Sequence, residues 1–286
     1  MGASQSDAVV WAAYACKGVS IGALAIQVYE LFTCLPDEIK YLWKCKFSAT
    51  TYLYTWSRYV PLCAQIINVI LSEMVYAASP SNKICIGNYI FKAVAGQLSL
   101  TCVEMIILLR VYALYNRSRR ITYFLGGVFL TGLTLQIIGS VMLVTSAYTG
   151  PILCSSSQAS TMGLSLFAAG ACVNETIMLF MTFLKVFGTY RDGWGRTPLV
   201  SVMIRDGLLV FVLLSVIIST MISFELVQHL SDSLWNTAFS CYIASLSITG
   251  CRLILKMRRL SVRNMDEDTD MTEIQFTSVF RIENSL

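Results

Sequence analysis

Three charged side chains, Arg58, Glu104 and Glu175, stand inside runs of residues that are otherwise apolar. An ion at the centre of a membrane-spanning helix costs roughly 2.5–3.5 kcal/mol unless it is paired or wetted. The expectation is a buried Arg58–Glu104 pair, reaching Glu175 and its neighbour Asn174, on the inward faces of a helix bundle. Such a cluster serves either as polar glue between helices or as a switch coupled to a proton, an ion or a ligand. Pro61, one turn from Arg58, marks a place where a helix would loosen.

Other chemistries find no support in the residue pattern. Gly18-Val19-Ser20-Ile21-Gly22 matches the nucleophile-elbow pattern but falls in a helical stretch, and His229 is the only histidine available as a base. No His-x-x-x-His, Cys-x-x-Cys or Walker spacing occurs, so no metal or nucleotide site is expected. A retinal Schiff base would need a lysine deep in the last apolar run, and Lys256 stands only at its end. The chain is therefore expected to be neither an enzyme nor a cofactor carrier.

The elements that hold these residues follow from composition. With 56% hydrophobic and 13% charged residues, the chain of 286 residues must be surrounded mostly by apolar matter. Seven runs are long enough to cross a bilayer: about 8–34, 48–72, 88–113, 121–147, 161–188, 206–228 and 233–256. Continuous runs of that length exclude barrel strands and predict an all-α, seven-transmembrane-helix bundle over residues 1–260. The acidic, polar remainder, 261–286, is expected to be a disordered cytoplasmic tail.

Sixteen lysines and arginines gather on one side: Lys40, Lys44 and Lys46 before the second run, Arg110 to Arg120 after the third, Lys185 to Arg205 after the fifth, and Arg252 to Arg263 after the seventh. The opposite loops are counted as holding only Lys83 and Lys92. That bias predicts a cytoplasmic C-terminus and an external N-terminus, with the plasma membrane as the default location. No basic stripe with interleaved aromatics indicates nucleic acid, so the lipid bilayer is the first partner. Pro36-Asp37-Glu38 reads as the start of a short helix at the headgroup layer, followed by lysines with Tyr41 and Trp43 between them.

The stretches LPDEIKYLWKCKF and SRYVPL, with LLRVYALYNRSRR at 108–120, resemble a family of multi-pass membrane proteins abundant in mushroom-forming fungi. That family is defined by a domain of unknown function, here covering about 20–62, and its function is unknown. The resemblance implies a seven-helix membrane protein of fungal type, and it supplies no ligand or catalytic residue.

A second likeness concerns the ends of the third run. Cys85 and Cys154 fall in outer loops on this topology, in an oxidising compartment, and are expected to form a disulfide. The staple would resemble that of G-protein-coupled receptors, in which an arginine at the inner end of helix 3 is a switch contact. Arg110 and Tyr112, in Arg110-Val111-Tyr112, are similar in place, although Leu109 stands where those receptors carry an acid and the last run lacks Asn-Pro-x-x-Tyr. The expected function is a receptor-like sensor that takes an unknown small ligand and signals to a cytoplasmic partner through its basic loops. The alternative is a transporter or channel routed along Arg58, Glu104 and Glu175.

Overall fold

A computed structural model describes residues 2–43, 49–77, 82–115, 118–149, 161–191 and 232–267, together with positions 212, 215, 216 and 219. The described residues are all-helical. Helix α1 is Gly2–Glu38 and passes into a π-helical turn, Ile39–Trp43. Then come α2 (Ala49–Ala77), α3 (Asn82–Leu114), α4 (Arg119–Thr149), α5 (Thr161–Arg191) and α6 (Asp232–Glu267). Helix α6 carries the seventh apolar run. The sixth run lies outside the described residues apart from its four isolated positions, which are helical.

Five of these six helices, all but α2, are long and apolar enough to cross a membrane, which makes this an all-helical chain of multi-pass character. Helix α2 turns a polar stripe inward. Thr51, Ser57, Arg58, Gln65 and Asn68 are buried, while Tyr52, Ile66, Ile67 and Ile70 on its other side are exposed. Thr51, Arg58 and Gln65 recur every seven residues with Asn68 three further on, and Ile66 and Ile67 stand four and three residues before Ile70, so each set keeps to one helical face. Polar groups inside and apolar groups outside is the arrangement that suits a hydrocarbon surround.

Three expectations change. Pro36 does not start a helix; it sits in the last turn of α1, and Pro61 lies inside α2. A proline supplies no N–H to the ladder, and past that gap the chain continues in the wider π-helical turn, which buries Leu42. Residues 261–267, assigned to the tail, prolong α6, while 268–286 lie outside the described residues. Lys92 is no loop residue: it stands in α3 and is buried.

Helix α6 packs against α1, α2 and α3, and α4 makes its broadest contact with α5. Leu100, Val103, Ile106, Ile243, Leu246 and Ile254 form the main core where α3 meets α6. The α4–α5 seam is set by glycines seven residues apart on each helix, Gly132 and Gly139 against Gly170 and Gly163. A Cβ on Gly139 would lie 2.6 Å from the Gly163 carbonyl oxygen, and one on Gly170 would lie 2.8 Å from that of Gly132. Small residues thus let two backbones touch where no hydrophobic driving force operates.

Candidate functional site

Arg58 and Glu104 do not pair with each other. Arg58 pairs with Glu38 at 3.2 Å, and both are almost wholly buried. Its guanidinium also donates to the Tyr54 hydroxyl and the Leu31 carbonyl. Running α1 on past Pro36 is what brings Glu38 over Arg58, one turn beyond where a headgroup carboxylate was expected. A planar five-donor fork can hold a carboxylate, a phenol and a carbonyl at once, so the ion finds its partners within α1 and α2, while its buried Nε has no hydrogen-bond partner among the described residues.

Glu104 has neutral partners. Gln136 donates to one of its carboxylate oxygens at 2.6 Å, and Asn174 donates to the other at 3.3 Å. Gln97 joins the chain by donating to Gln136 at 2.9 Å, and Ser140 donates to Gln97 at 3.4 Å. Three helices, α3, α4 and α5, are laced by this line. Glu175 is brought to the same cluster, near enough for the Glu104 charge to act on it, and the Tyr242 phenol lies within reach of both charges. Among the described residues, Glu175 Oε1, Asn174 Oδ1 and the Tyr242 hydroxyl have no hydrogen-bond partner. Two of the three predicted residues, Glu104 and Glu175, are therefore together, and Arg58 serves elsewhere.

A cavity of about 110 Å³ opens above this line, between the first turns of α3, α5 and α6 and the last of α4. Gln97, Ser140 and Tyr242 border it, as do Lys92, Phe167 and Phe239. Below the line, a smaller cavity of about 30 Å³ is bordered by Glu175 and Arg110. The carboxylate cluster lies between the two.

Arg110 is buried and donates to the Leu253 carbonyl of α6. Tyr112, beside it in sequence, is half-buried and takes no part in that contact. Tyr115 donates to the Met181 carbonyl at 2.9 Å, with Lys185 over its ring, and burial raises its phenol pKa. At the same end, α6 is bound to the first two helices: Arg252 to Glu30 in two bonds of 2.5 and 2.9 Å, Arg258 to Thr50 and Arg259 to Asp37. These contacts gather Arg110, Lys185, Arg252, Arg258 and Arg259 at one end of the bundle, called here the basic end. Cys154 lies outside the described residues, as does the Cys85 side chain, so their disulfide expectation has no counterpart here.

Several of these groups were passed over in the sequence. Gln97 and Gln136 are uncharged, and a hydropathy window absorbs one amide without a trace. The signal that was available is an amide in the middle of an apolar run, which must find a partner there. Residues 19–63 match the protein family described as a family of unknown function (DUF6533). That segment is the second half of α1, the π-helical turn and the first half of α2, and it contains Glu30, Asp37, Glu38, Tyr54 and Arg58. No curated protein matches the chain.

Proposed function

We propose that this chain is a seven-helix receptor-like sensor in the plasma membrane, with its basic end in the cytoplasm. The sidedness rests on the sixteen basic residues assigned to one side and on the positive-inside rule. The observation that carries the sensor reading is the hydrogen-bonded line from the outer cavity through Gln97 and Gln136 to Glu104, beside Glu175, whose carboxylate shares the inner cavity with Arg110. A ligand that alters Gln97 or Tyr242 changes the partners of Glu104. Strain is then passed to α5 and to the Arg110–Leu253 contact that holds α6 against α3. An element with two arrangements, biased from both ends, is what such coupling requires.

One observation favours the transporter reading: the carboxylates lie between two cavities, one toward each end. The deciding experiment uses the full chain in nanodiscs and in liposomes. On the sensor reading, the nanodisc protein captures a heterotrimeric G protein that guanine nucleotide releases, and Arg110→Ala, checked for an unchanged melting temperature, captures less. No capture, together with an ion flux in liposomes that Glu175→Gln abolishes, overturns the sensor and leaves the transporter.

A further inference from the structure

The larger cavity has walls of Leu143, Leu164, Phe167 and Phe239, yet a buried ammonium, Lys92, belongs to the same lining. Lys92 is 9% exposed and lies within the candidate span Ile86–Leu114, with its nitrogen 5.8 Å from the centre of the Phe239 ring. A lysine in that position is costly, and one facing a cavity marks a place where an ion is handled. The Phe239 ring face supplies part of its compensation, beside the other contacts that Lys92 makes.

We propose that this cavity binds a small, water-soluble monocarboxylate, its carboxylate on Lys92 and its apolar body among the Leu164, Phe167 and Phe239 side chains. The charge argues for a monoanion. One ammonium matches one carboxylate, whereas a phosphate favours a bidentate arginine or several donors, and a cationic ligand is repelled. An ammonium has three donors, so a carboxylate joins the contacts that Lys92 already makes. The size argues for a short body: an apolar cavity of about 150 Å³ accepts benzene, and this one of about 110 Å³ holds a body smaller than that ring, roughly a chain of three or four carbons. Apolar walls with one placed charge are the usual composition of a small-molecule site.

Gly96 supplies the control. A Cβ there would meet the Phe239 and Tyr242 rings at 3.7 Å, an ordinary contact, so alanine fits while leucine occupies the cavity. The inference deepens the sensor reading and rests on it only for what the ligand is for. The experiment measures direct binding to the full chain in zwitterionic nanodiscs by equilibrium dialysis, comparing butanoate with butan-1-ol and butylamine. The acid should bind at least about tenfold more tightly than either analogue, as a charge-assisted hydrogen bond provides. Lys92→Gln should remove that preference and Lys92→Arg should keep it. Gly96→Leu should abolish binding of acid and alcohol alike, and Gly96→Ala should not. Equal binding of acid and alcohol, a preference that survives Lys92→Gln, or binding that survives Gly96→Leu overturns the proposal. A carboxylate that binds without altering G-protein capture counts against the sensor reading alone, and capture by a protein that binds no carboxylate counts against this inference alone.

Discussion

Glu104 gives each carboxylate oxygen to an amide donor, Gln136 on one side and Asn174 on the other. A glutamine at 104 has one oxygen, so its NH2 group faces the Asn174 donor in that amide's present orientation. Glu104→Gln should therefore lose about 1–3 kcal/mol, the cost of a buried group left unpaired. Adding Asn174→Asp supplies an acceptor to that NH2 group and should recover part of the loss, as read from melting temperatures in detergent; strictly additive losses would sink the pairing. Arg58 gives a sterner case. Arg58→Met strands the Glu38 carboxylate and should cost about 3–5 kcal/mol, while Arg58→Met combined with Glu38→Leu should cost less than the single change. The positions of these ions were legible because charge in an apolar run stands out. Their partners were not, since Gln136 and Asn174 carry no charge, and Glu38 stands beside lysines and aromatics of headgroup character while Pro36 hides the continuation of α1 that carries it to Arg58.

Between α4 and α5, packing depends on what is missing from four glycines. Gly139→Ala places a methyl 2.6 Å from two backbone atoms of α5, and a backbone cannot swing aside as a side-chain end can. The helices must separate, at a cost of about 1–3 kcal/mol typical of overpacking. Gly126→Ala and Gly127→Ala, on the same helix with nothing within 4 Å of the added carbon, should be neutral or stabilising by up to about 1 kcal/mol. A thermal-unfolding series over Gly126, Gly127 and Gly139 checks this, and equal shifts at all three would refute the seam. The helices themselves were legible from apolar run length. The seam was present as a seven-residue glycine spacing on both partners, but hydropathy treats glycine as nearly neutral and so hides the contact that positions Asn174 beside Glu104. The seven residues that carry α6 to Glu267 were hidden for the opposite reason, because their charge reads as tail while Arg258 and Arg259 find Thr50 and Asp37 to bind.

For the whole molecule the question is which way the bundle faces, and the ten cysteines are spread so as to answer it. Seven lie in described helices as free thiols, most of them buried or half-buried. Cys63 is exposed, but on α2 within an apolar stretch, where a charged maleimide does not reach. The other three are Cys45, between two lysines of the connection that follows the π-helical turn, and Cys85 and Cys154. With the basic end inside, intact cells should give no labelling at Cys45 until they are permeabilised. Cys85 and Cys154 should label from outside only after reduction, and Cys85→Ser should free Cys154 to react without reductant. Cys45 labelled in intact cells would invert the bundle, putting the Lys92 cavity on the cytoplasmic side and Arg110 outside. Labelling of Cys85 and Cys154 before reduction would keep the orientation while removing the staple. The receptor-like reading would then rest on the polar line through Glu104 alone.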